Sequence, residues 1–263
     1  MNRFSRRTFL ALLPPAVLAS TSAAEPEPRT YNTGYSQIMK LGRDIHAGLN
    51  PDHREKIAAQ PISIETDPSP FAKLLYFDDK PRPVRGVWIS AGFIDLVNYV
   101  AHAKAIDRRE KNYFNRYVEI LAAETGAQPL RPLPDAGNRQ FWTEAMLNEQ
   151  QSNFNSIVGL VVGMKLANHY LGHYEKYKTA LDRGAAINNL LAQSEWDETF
   201  RHGVRNAIRA GCMTEGAVPF FEAFDKMKKR PAWTAHFLPD KVKFSPLRKE
   251  MESIQKRFLA GEN

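Results

Sequence analysis

Hydrophobic spacing along the chain separates a short extended region from a long helical one. Residues 35–59 carry a helical pattern that breaks at Asn50-Pro51, where proline suits a helix start. Three short extended segments follow. Ile62-Ser63-Ile64 alternates, residues 73–77 are apolar and aromatic, and Gly86-Val87-Trp88-Ile89-Ser90 is rich in β-formers. Pro68, Pro70, Pro81 and Pro83 mark the connections between them. From there on the spacing predicts helices over 93–107, 110–124, 141–181, 195–210, 215–229 and 246–259, with a proline-rich loop at 128–138. No internal repeat is present. The pattern predicts a helix-dominated α+β domain with a small sheet from residues 60–90, occupying 35–263 behind a spacer at 25–34.

Composition agrees with that outline and narrows the function classes. The 263 residues are 43% apolar, 25% charged and 11% aromatic, which suits one globular domain and excludes intrinsic disorder. No uninterrupted apolar run reaches the roughly 18–20 residues that cross a bilayer, so no membrane span is expected in the mature chain. A single cysteine, Cys212, rules out an internal disulfide and any multi-cysteine metal site. It reads as a small core residue.

The first 24 residues have the order of a signal peptide: a basic start, a short apolar stretch and small residues before Glu25. Ser5-Arg6-Arg7 followed by Phe9-Leu10 is similar to a twin-arginine export signal and implies a periplasmic or secreted protein. Its removal takes away Arg3, Arg6 and Arg7 and no acid, lowering the net charge from +7 to about +4. That is too diffuse for a nucleic-acid footprint. The basic run Lys226–Arg230 reads as the solvated end of a helix.

Candidate chemistry lies in the longest helical segment. Ser156-Ile157-Val158-Gly159-Leu160-Val161-Val162-Gly163-Met164 is apolar on every face, which predicts a buried central helix. Gly159 and Gly163, four residues apart, leave room for another element to approach closely. Polar residues then return in Lys165-Leu166-Ala167-Asn168-His169-Tyr170-Leu171-Gly172-His173. On one continuous helix His169 and His173 share a face and can reach a single metal ion. Glu195, at the head of the next helix, is the candidate third ligand, with Glu198 one turn on in reserve. The alternative reading has two histidines satisfied inside a core and an acid placed for the helix dipole.

At this point the chain resembles the gluzincin zinc metallopeptidases of the CAAX-prenyl-protease/HtpX type. Four stretches carry the resemblance in family order: residues 86–96, residues 161–173, Glu195-Trp196-Asp197-Glu198-Thr199, and Ile208-Arg209-Ala210-Gly211-Cys212 with Ala217-Val218-Pro219-Phe220-Phe221. Thr234-Ala235-His236 is a fifth, fainter echo. The resemblance covers roughly residues 84–260, with an unmatched insertion near 100–145. It implies a zincin-like domain, zinc as cofactor, and residues 86–90 as the edge strand beside the substrate cleft.

The family motif, His-Glu-x-x-His, is broken here. In one register His169-Tyr170-Leu171-Gly172-His173 keeps both ligands and puts Tyr170 in place of the base. In the other, Met164, Lys165 and Asn168 stand where His, Glu and His belong; Gly163 and Leu166-Ala167 fit the family wording better this way. Either register removes the catalytic glutamate, and a tyrosine with a pKa of about 10 or an ammonium group is a poor base near neutral pH. The resemblance therefore implies a pseudoenzyme that binds a protein or peptide in the cell envelope. Two alternatives are a hydrolase of altered mechanism, with zinc on His169, His173 and Glu195 and with Asp197 or Glu198 as base, and a structural envelope protein without metal. In each, the loop at 128–138 is a candidate cover for the cleft. The ligand and the oligomeric state are not legible from these residues.

Overall fold

A computed structural model of the chain describes residue 31, residues 34–79 and residues 82–262. The signal-peptide reading of 1–24 lies outside the described residues, as does nearly all of the spacer.

Two helices precede the sheet. Helix α1 (Tyr35–Gly48) buries Ile38, Leu41 and Ile45 on one stripe, and the single turn α2 (Pro51–Arg54) has its proline at the start, as the sequence predicts. Strands β1 (Ile62–Glu65), β2 (Ala72–Phe77) and β3 (Val84–Ser90) form a three-stranded sheet in the order β1-β3-β2. Strand β1 runs parallel to β3 with Ile62 opposite Val87, and β2 runs antiparallel with Lys73 opposite Trp88. Residues 86–90 are not the edge strand that the resemblance implies, because β3 is paired on both sides; it buries Val87 and Ile89 and turns Trp88 outward, and β2 is an edge strand beside an exposed indole.

Ser90 joins sheet to helix. Its Oγ accepts from the Phe93 amide at 3.0 Å, capping α3 (Ala91–Asp107), and from the Phe71 amide at 2.9 Å, fixing the start of β2. Helix α4 (Tyr113–Ala122) follows. The proline-rich loop is tied down on α4 and on Trp142, and it lines neither of the two clefts described for the chain. The Tyr113 and Tyr117 hydroxyls donate to the carbonyls of Pro134 and Arg131, the Trp142 indole donates to that of Ala136, and Leu130 and Leu133 are buried against α4 and its neighbours.

The remaining helices are α5 (Glu144–Tyr170), α6 (His173–Leu181), α7 (Ile187–Leu190), α8 (Gln193–Arg209), α9 (Val218–Lys226) and α10 (Phe244–Leu259). Helix α5 is the centre of the domain. Every residue from Ser156 to Tyr170 is buried, and the helix packs against α1, α3 and α8 and beneath β2 and β3. A phenylalanine cluster including Phe93, Phe220, Phe224 and Phe237 closes the core on the α3 and α9 side. Helix-dominated α+β architecture with a small sheet is thus what the chain adopts. Among the described residues no helix is long and apolar enough to cross a membrane.

The crossing of α5 and α8 depends on glycine at both faces. A Cβ on Gly163 would lie 2.8 Å from the Gly203 carbonyl oxygen, and one on Gly203 would fall on the Met164 side chain, 2.9 Å from the Met164 backbone nitrogen. Asn206 reinforces the crossing by donating to the Gly163 carbonyl at 3.1 Å. Beside Gly159 sits Cys212, whose Sγ would be 2.7 Å from an added Cβ. Burial pushes this thiol up to about 11, the signature of a core residue rather than a nucleophile.

One boundary differs from the periodicity in a way that changes the chemistry. The helix expected over 141–181 is two helices, because Gly172 adopts φ +81°, a left-handed conformation open to glycine at little cost. The Gly172 amide bonds back to the His169 carbonyl at 3.1 Å, ending α5, and α6 begins at His173.

Candidate functional site

His169 and His173 therefore sit on different helices, and the shared face that a continuous i, i+4 pair would have does not exist. The His169 imidazole donates from Nε2 to the Gly86 carbonyl of β3 at 2.8 Å, pinning α5 to the sheet. Its other nitrogen, Nδ1, is enclosed without a partner among the described residues, and burial pushes the ring down to about 4. His173 points elsewhere. Its Nδ1 lies 3.0 Å from Asn168 Oδ1 and 3.2 Å from Thr199 Oγ1, which assigns the proton to Nδ1, and the Thr199 hydroxyl donates to the same Asn168 oxygen at 3.4 Å.

Glu195 is not gathered with them. It is the third residue of α8, and its carboxylate accepts from the Ala192 amide at 2.9 Å, from the Tyr177 hydroxyl at 2.7 Å and from the Lys176 ammonium at 2.5 Å. The bond from Lys176 is the main cause of its depression to about 2. An acid in this place caps α8 and ties it to α6. Among the described residues no three His, Cys, Asp or Glu side chains are close enough to share a metal ion. The set His169, His173 and Glu195 does not converge on one point: His169 is bonded to β3, His173 to Asn168 and Thr199, and Glu195 to α6 and the start of α8.

Of the residues expected to stand in for a base, Tyr170 and Asp197 are engaged elsewhere. Tyr170 lies flat on His53 at 3.9 Å between centroids, and its hydroxyl accepts from Asn206 at 2.9 Å and meets His202 Nδ1 at 3.2 Å. Burial raises its phenol to about 12, away from the range of a base at neutral pH. Asp197 accepts from Gln193 on the outer side of α8, and Glu198 is exposed. Of the residues in the second register, Met164 fills the crossing with Gly203 and Asn168 also donates to the Met164 carbonyl at 3.0 Å.

Lys165 is the exception in this core. Its side-chain nitrogen is enclosed and has no hydrogen-bond partner among the described residues, and burial lowers its pKa from 10.5 to about 7. It lies one turn before His169, on the side of α5 that faces the sheet. Its electrostatic neighbour is His236, pushed down to about 3 by burial first and then by Lys165 and Lys73.

His236 leads to the surface. Together with Lys73, Trp88, Ile187 and Asp182 it lines a cleft of about 250 Å³ along the first half of β2. The Lys73 ammonium rests 4.0 Å over the Phe71 ring, and Phe71 stands edge-on to Trp88 at 6.4 Å. Asp182, at the rim of the cleft, is paired with Lys178 at 2.7 Å. Sequence spacing does not reveal this gathering, because Lys73, Lys165 and His236 are far apart in the chain. The one visible signal is a lysine inside an otherwise apolar helix. The chain matches no family model, no curated protein and no solved structure.

Proposed function

We propose that this chain is an exported, non-catalytic binding module on a metallopeptidase-like plan, and that its cleft along the β2 edge receives an extended peptide segment in the cell envelope. The observation that carries the reading is the content of α5. In the register that best fits the family wording, the positions of a ligand, the base and a second ligand hold Met164, Lys165 and Asn168. All three are buried, Met164 and Asn168 in helix packing and hydrogen bonding, and Lys165 as an enclosed amine where a carboxylate belongs. Beside them β2 presents an unpaired strand edge next to an exposed Trp88, an arrangement suited to pairing with an extended chain. Export rests on Arg6-Arg7 and the apolar run that follows.

The reading predicts no turnover of denatured casein by the purified mature protein, with or without added zinc. Chelator-sensitive cleavage that follows the protein through purification would reject it.

A further inference from the structure

Basic side chains from α3, α4 and α9 gather around one phenylalanine. Lys104 lies in the last turn of α3 and Lys226 ends α9, and each ammonium is 5.2 Å from the centroid of the Phe114 ring in the first turn of α4. The two charges are therefore no more than about 10 Å apart, one Debye length in 0.1 M salt. Lys226 donates to the neutral Asn115 carboxamide at 2.7 Å rather than to an acid. Lys228 and Lys229 follow α9, Arg109 and Lys111 lie between α3 and α4, and all four are exposed. Among the described residues none of these six cations has an ion pair. The arginines beside them are spent, Arg108 on Glu149, Arg116 on Glu110 and Arg230 on Asp225. Within residues 104–119 and 226–230 the acids left without a basic partner are Asp107, which accepts from the Phe114 amide at 3.0 Å, and exposed Glu119. That leaves about four positive charges, as many as the net charge of the whole mature chain. Helix dipoles account for a cation in the last turn of α3 and of α9, but not for Arg109, Lys111, Lys228 and Lys229.

We propose that this basic face docks the protein on an anionic phospholipid surface. The unpaired charges are five lysines and one arginine, and lysine is depleted from protein–protein interfaces, where arginine is favoured. A cluster of four to eight such cations is what a plane of anionic headgroups attracts, through its field and without a fitted pocket. None of the six lines the β2 cleft or a second cleft of about 410 Å³ between α7, the first turn of α8 and residues 239–242. The face is independent of the peptide cleft and of the reading given above for it.

Sedimentation of the full mature chain with vesicles tests this, using phosphatidylcholine alone or with about 30% phosphatidylglycerol, at about 0.05 M and about 0.5 M salt. Retention on the anionic vesicles at the lower salt, release at the higher and no retention on phosphatidylcholine are expected. Lys111→Gln, Lys226→Gln, Lys228→Gln and Lys229→Gln, made together, should weaken retention at least about tenfold. A control variant with Lys56→Gln, Arg183→Gln, Lys256→Gln and Arg257→Gln loses the same charge from other elements and should keep most of it. All eight positions are exposed, so neither variant disturbs the core. No retention on anionic vesicles, equal retention on neutral ones, or an equal loss in the two variants overturns the proposal.

Discussion

Lys165→Met is expected to stabilise the folded protein at neutral pH, by about 2–5 kcal/mol, although it removes a charge from a protein that carries few unusual ones. The Lys165 amine is wholly enclosed with no counter-charge or acceptor, and its pKa falls from 10.5 to about 7. Between those two values the unfolded chain holds a proton that the fold has released. Wild-type stability therefore rises with pH across that window, and below about pH 7 the fold carries the full cost of the buried ammonium. Methionine has a similar length and no charge, so the variant keeps the packing and loses the cost. Thermal melts from pH 6 to 10 check this. The gap between variant and wild type should be widest at pH 6–7 and should close as pH approaches 10. A variant less stable than wild type at pH 7 would mean that Lys165 has a partner in solution.

Gly203→Ala is expected to act in the opposite direction, lowering stability by about 2–3 kcal/mol, the range for overpacking a filled core. In an exposed helix the same change gains up to about 1 kcal/mol, which makes the sign diagnostic. Here the new Cβ meets the Met164 side chain and approaches the Met164 backbone nitrogen to 2.9 Å, and backbone cannot move aside as a side chain can. The melting temperature should fall by about 5–9 °C for a domain of this size. Met164→Ala in the same chain should recover part of the loss, because it removes the side-chain clash and leaves the backbone one. An unchanged or higher melting temperature for Gly203→Ala would show that α5 and α8 do not cross as described.

Both variants bear on how far the sequence could be read. The three strands and the helices up to α4 are legible because each has a local cause: alternation in residues 62–64, β-formers at 86–90, proline at the start of α2. The buried central helix is legible from its unbroken apolar run, and the close approach at Gly159 and Gly163 from their spacing. The histidine pair failed for an equally local reason. Gly172 between them takes a left-handed conformation and ends the helix, so counting four residues along the chain did not place two side chains on one face. Glu195 shows the other limit. An acid three residues into a helix satisfies a capping rule and a ligand spacing alike, and only the positions of Lys176 and Tyr177 decide between them. The two clefts were not legible, since each joins residues from elements distant in the chain.

The proposed function holds that a metallopeptidase-like plan is kept here without a zinc site. Elemental analysis of untagged, full-length mature protein, after dialysis against a weak chelator and again after incubation with zinc, tests it most directly. Zinc well below one equivalent, with no dependence on His169, is the predicted result. One equivalent retained by the wild type and lost in His169→Ala would contradict the account and restore His169 as a metal ligand.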